Sequence, residues 1–145
     1  MAHTFTLTSF GEKWHFKTDH YLDMDVRRVF EDLLSIRNTI RWDEMDTENF
    51  LATEGRLVSE CITQLQPDKN DTIPSVLAAE KFKNIEKIIV CVYSHSVTMV
   101  DDYGKVLEQV SAVLPVETQI LSGWIRDEKA TQNGVTIKLI AICME

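Results

Sequence analysis

The chain begins with a two-residue alternation of apolar and polar positions. Phe5 and Leu7 share one side of residues 4–10, with Phe10 following less regularly, and Trp14 and Phe16 repeat the pattern over residues 13–19. The intervening Ser9-Phe10-Gly11-Glu12 reads as a turn, so the first twenty residues predict a β-hairpin. The period then changes. Val26, Val29, Phe30, Leu33 and Leu34 fall at i, i+3, i+4, i+7 and i+8, one apolar stripe of a helix, with Arg27, Arg28, Glu31 and Asp32 on the other face. Asp23 or Asp25 can accept hydrogen bonds from the free N–H groups at its start. Residues 38–43 suggest a short strand. Phe50, Leu51, Glu54, Leu57, Val58, Cys61, Ile62 and Leu65 predict a second helix, with Gly55 costing it about 1 kcal/mol relative to Ala. Gln66–Ile73, which contains Pro67, reads as a loop, and Ser75–Phe82 as a short helix or ordered connector.

The last third is the most regular. Lys87–Tyr93 is apolar on both faces, as a strand covered from both sides requires. Thr98-Met99-Val100-Asp101 has the form of a capping box with Asp in place of Glu. Val100, Tyr103, Val106, Leu107, Val110 and Leu114 continue a helix that Pro115 stops. Gln119–Ile125 is a strand, Asn133-Gly134 a strong turn signal, and Val135–Cys143 a final strand. The strand–helix–strand unit should place its two strands parallel. The last two strands should be antiparallel, because the loop between them is too short for a crossover. Ile89, Val110 and Ile140 are expected in one core between sheet and helix. The expected fold class is α/β (α+β in looser usage). It comprises a mixed sheet of four or more strands, two to three helices packed on it, and an added N-terminal hairpin. A single domain is expected over residues 1–145, with the hairpin at 1–19 and the rest at 20–143.

Composition narrows the function. At 145 residues, 44% hydrophobic and 26% charged, the chain can build an ordinary globular core. The net charge of −8 argues against a nucleic-acid binder, which would present a basic face, and against docking on anionic lipid. No apolar run approaches the roughly 18 residues of a membrane span, and the N-terminus lacks the basic and apolar regions of a signal peptide. Cys61, Cys91 and Cys143 are scattered in apolar runs without a CxxC pair, as expected of thiols in a reducing compartment. The expected location is the cytoplasm.

Other chemistry is thin. His15 and His20 are five apart, which suits neither helical nor same-face strand ligation, so no metal and no cofactor is expected. Cys91 and His95 evoke a nucleophile–base pair, but a strand-centre cysteine more often packs a core. Arg126, Asp127 and Glu128 at a strand end either orient a small acid or form a solvated rim. Trp14, Trp42 and Trp124 are dispersed and make no platform for bases.

One resemblance runs through most of the chain. Ser94-His95-Ser96 and Val97-Thr98-Met99-Val100-Asp101 are followed by Ile120-Leu121-Ser122-Gly123-Trp124-Ile125-Arg126-Asp127-Glu128. Val135-Thr136-Ile137-Lys138-Leu139-Ile140-Ala141 closes the series. These segments resemble, in order, the end of the folded region of FtsZ, the tubulin-like cell-division GTPase. Upstream, Asp23-Met24-Asp25-Val26-Arg27-Arg28-Val29 resembles that family's loop-to-helix junction, and Thr53-Glu54-Gly55-Arg56 resembles the segment opening its next helix. The resemblance implies an FtsZ C-terminal-domain-like fold over about residues 20–143, while the family's Gly-rich phosphate loop has no counterpart here. It implies a non-enzymatic assembly domain without GTP binding, acting on a protein partner such as a tubulin/FtsZ-like GTPase, or forming a homo-oligomer. In the family, the loop before the first helix meets the next subunit's nucleotide face. That makes Asp23, Asp25 and Arg27 interaction candidates, and the strand-end residues Arg126, Asp127 and Glu128 are the others. Asp23 and Asp25 are spaced one residue closer than the family's acids, and helix capping is the simpler role for them. The alternative is a small α/β ligand-binding protein or enzyme with a site between subunits of an oligomer.

Overall fold

The computed structural model describes residues 2–9, 11–35, 42–67, 71–95, 98, 100–129 and 134–145. The alternation at the start folds as expected: β1 (His3–Ser9) pairs antiparallel with β2 (Glu12–Thr18), setting Phe5 against Phe16 and Leu7 against Trp14. Phe5, Leu7 and Phe16 turn inward and are buried. Phe10, part of the expected turn, lies outside the described residues.

Helix α1 (Met24–Leu33) buries Val26, Val29, Phe30 and Leu33 along its stripe, each worth about 1.5–3 kcal/mol by removal from water. Asp23 caps it: the carboxylate accepts the Val26 N–H at 2.9 Å. Residues 38–41 of the expected short strand lie outside the described residues. Trp42 is buried, and Asp43 caps α2 (Glu44–Leu51) through a capping box with Asp46.

The second predicted helix is corrected beyond Leu51. Residues 56–65 form β3 (Arg56–Leu65), which pairs antiparallel with β6 (Val135–Cys143). The resemblance of Thr53-Glu54-Gly55-Arg56 to a helix opening therefore fails, and the segment opens a strand. Two physical reasons are visible. Gly55 adopts φ +135°, which breaks any helix, and the ladder shifts register between Ile62 and Leu65. That shift lets Ile62 and Leu65 join the same core although an odd number of steps separates them. The sequence therefore shows a helix-like spacing in place of alternation.

The chain continues through α3 (Thr72–Leu77) and a 3-10 turn (Glu80–Phe82) into β4 (Ile85–Ser94), α4 (Val100–Val113), β5 (Gln119–Arg126) and β6. The four-stranded sheet is mixed, in the order β3-β6-β4-β5. β4 and β5 are parallel, as expected of strands joined by a helix. The pairing expected for the last two strands is corrected: β6 pairs antiparallel with β4 and β3, and not with β5. Every residue of β6 from Leu139 to Cys143 is buried, whereas β5 begins at exposed Gln119. A strand apolar on both faces gains most from a central place.

The sheet carries a core on each face. One core joins the hairpin, α1 and α2 to Ile89, Cys91, Tyr93, Ile125, Ile140 and Ile142. The other joins α3, Phe82 and α4 to Ile88, Val90, Val92, Ile137, Leu139 and Ala141. Val110 belongs to the second core, so the expectation that it shares a core with Ile89 and Ile140 is corrected. The fold class stands as α+β, with four helices among the described residues.

Candidate functional site

The approach to α1 exposes two large apolar side chains close together in the chain. Tyr21 and Met24 flank the cap and are 72% and 69% exposed. Leu22 between them is fully buried and anchors the loop. Asp23 is committed to capping, and Asp25, in the first turn, is exposed. Arg27 turns back over this surface. Its guanidinium lies over the Phe5 ring, 5.6 Å from the centroid, and an Nη donates to the Met24 sulfur at 2.9 Å. Its Nε is buried without a hydrogen-bond partner. Tyr21 makes edge contacts with Phe5 and His3, with ring centroids 6.4 and 5.9 Å apart. The hairpin and the start of α1 thus build one surface, with His3, Tyr21, Met24 and Arg27 arranged over the buried Phe5 ring. Pattern reading selected Asp23, Asp25 and Arg27 and missed the two apolar side chains between and before them.

Beside this surface, a groove of about 310 Å³ runs between α1 and the β3–β6 half of the sheet. Val26, Val29 and Ile140 give it an apolar floor, while Asp25, Glu60 and Lys138 contribute charge.

The second candidate group lies elsewhere. Arg126 ends β5 and is exposed. The Asp127 N–H donates to the Ser94 carbonyl at 2.7 Å, and its carboxylate accepts the Lys129 N–H at 3.0 Å, which makes it a turn residue. Glu128 stands 3.4 Å from His95 Nε2. These residues sit by the end of β5 next to Tyr93 and Ile125, which are aligned across the sheet. Tyr93 is reached by Asp32, at the far end of α1 from Asp25. The structure does not bring the two candidate groups together, and the groove residues include neither Arg126 nor Glu128.

The histidines are engaged locally. His15 Nδ1 lies 3.1 Å from the Thr6 hydroxyl across the hairpin, and His20 Nε2 donates to the Thr53 carbonyl at 2.6 Å. Among the described residues, no three His, Cys, Asp or Glu side chains are grouped to hold a metal ion. Among the same residues, no helix is long and apolar enough to cross a membrane.

A polar cluster that pattern reading did not find lies under the end of α1. The Tyr93 hydroxyl donates to Asp32 at 2.6 Å, and the Lys138 ammonium sits 4.7 Å from the Tyr93 ring centroid. Burial raises the Asp32 pKa, opposed by the Tyr93 hydrogen bond and by the charges of Arg28 and Lys138; Glu31 adds to the rise. Burial also pushes the Cys91 thiol up, so it stays protonated and packs as a small apolar side chain. The folded state therefore binds a proton on Asp32 more tightly than the unfolded chain does. That contribution to stability is fully present below the ordinary aspartate value of 3.8 and is lost as pH rises through the higher folded value. Asp32→Asn keeps an acceptor for Tyr93 and should gain stability relative to the wild type as pH rises from 3.5 to 7. Urea midpoints of both proteins across that range check this, and a pH-independent difference between them would contradict it.

No protein-family model and no curated protein matches the chain. Solved structures do. An empty FtsZ dimer from M. jannaschii aligns with a TM-score of 0.62 at 14% identity, over 81% of this chain and 36% of that one. A W319Y mutant of FtsZ from M. jannaschii aligns with a TM-score of 0.65 at 15% identity, over 82% and 38%. The fold resembles the FtsZ C-terminal domain. The chain spans little more than a third of the FtsZ chains it matches, and at this identity the likeness speaks to fold alone.

Proposed function

We propose that this FtsZ-like domain works by protein–protein association, occupying the end of a filament built by a tubulin-like GTPase without binding GTP itself. The observation that carries the reading is the exposed approach to α1. In this FtsZ-like fold, the loop before α1 presents Tyr21 to solvent, and the first turn of the helix presents Met24 and Asp25. One of the aligned structures is itself an FtsZ dimer. A capper needs a contact surface only. Asp23, spent on its helix cap, is not free to position water, which favours blocking a neighbour over activating it.

Two measurements test the reading. Added in substoichiometric amounts to the GTPase of the same organism, the protein should shorten its filaments, and Asp25→Lys should weaken the effect. Unchanged length and pelleted mass up to equimolar protein would rule capping out. Calorimetry with GTP should show no binding in the micromolar range. The five glycines, at 11, 55, 104, 123 and 134, form no Gly-rich loop whose N–H groups could cradle a phosphate. Micromolar GTP binding would overturn the non-nucleotide half of the reading.

A further inference from the structure

We infer that the α1 approach and the hairpin together form the anchoring surface of the contact, and that it fits a protein surface with an aliphatic centre ringed by lysine or arginine. The inference rests on the capping reading and names the chemistry of its partner. Interface energy concentrates in a few aromatic, Met and Arg side chains that bury fully on binding, while rim charges steer encounter. This surface has that composition. Tyr21 and Met24 project at 72% and 69% exposure.

Both are held before any partner arrives. Tyr21 rests edge-on against Phe5 and His3, and Met24 is bound through its sulfur by Arg27, itself seated on Phe5. Side chains already ordered lose less conformational entropy on association. Phe5 and His3 come from the hairpin, the part of the chain for which the FtsZ likeness suggested no counterpart. The hairpin thus fixes the anchor side chains in place. The exposed carboxylates of Asp23 and Asp25 flank Met24 on either side in the chain, and the protein carries a net charge of −8. Charge complementarity therefore selects a basic rim on the partner, and an acidic one would be repelled.

The test uses the intact protein, its Tyr21→Ser and Met24→Ser variants and the double variant, with GTP filaments of the tubulin-like GTPase from the same organism as the probe. Both side chains are exposed, so the variants should keep the wild-type urea midpoint, which is measured alongside. Each single change should raise the concentration needed to shorten filaments about tenfold, and the double variant should abolish shortening. Asp25→Lys should lower the potency most at low salt and flatten its salt dependence, so that variant and wild type converge at high salt. If the wild type shortens filaments and the double variant does so equally well, the anchoring surface is overturned and capping stands. If the wild type leaves filaments unchanged, both fall together.

Discussion

Replacing Gly55 by alanine should be among the most damaging single substitutions in the chain. Gly55 adopts φ +135°, a conformation that residues with a Cβ rarely enter. Holding another residue there costs about 1–3 kcal/mol. Space is a second and separate objection. A Cβ built at this position would lie 2.6 Å from the Cys143 carbonyl oxygen and 2.9 Å from Ile142 Cγ2. The first of these is backbone of the central strand β6 and cannot swing aside. Forcing extra atoms into a packed site costs a further 1–3 kcal/mol, roughly. The sum of about 2–6 kcal/mol is a large share of the 5–15 kcal/mol that holds a typical domain together. Urea denaturation of Gly55→Ala should therefore show a midpoint far below the wild type, or no folded baseline. A shift below about 1 kcal/mol would mean that the α2–β3 junction is placed wrongly. The same glycine explains why α2 stops and β3 starts here: the chain turns where it presses against the end of β6.

How much of this was legible beforehand differs along the chain. The hairpin, α1, β4, α4, β5 and β6 announce themselves because each carries one clean period or an apolar run bounded by a cap or a proline. β3 does not. It lies at a sheet edge, its exposed residues Glu60, Cys61 and Thr63 interrupt the apolar ones, and its ladder slips between Ile62 and Leu65. Alternation is destroyed by that slip, and what remains imitates a helix. Strand order was not readable either. Which neighbour β6 takes depends on burial of both its faces, a property of the assembled sheet. The candidate site was half legible. Asp23 declares itself as a cap by local spacing. Tyr21 and Met24 do not declare themselves as surface, because an isolated apolar residue looks the same in sequence whether it is buried or exposed. Asp32 and Tyr93 lie 61 residues apart, and only the fold joins them.

Ile140→Ala should cost about 2–5 kcal/mol, the range for truncating a buried aliphatic side chain. Ile140 is 1% exposed and sits on the central strand, aligned with Ser59 of β3 on one side and Ile89 of β4 on the other. It packs in the core under α1, whereas Val110 packs under α4 on the opposite face. That division makes a sharper test than the size of a single effect. Substitutions in separate cores should add to within about 0.3–0.5 kcal/mol, whereas neighbours should couple by about 0.5–3 kcal/mol. Ile140→Ala combined with Val110→Ala should therefore sum, and Ile140→Ala combined with Ile89→Ala should not. Urea midpoints for the three single and two double variants decide it. Strong coupling between positions 140 and 110 would put one core where the sheet here separates two. An unchanged midpoint for Ile140→Ala alone would displace β6 from the centre of the sheet, and with it the core on which α1 packs.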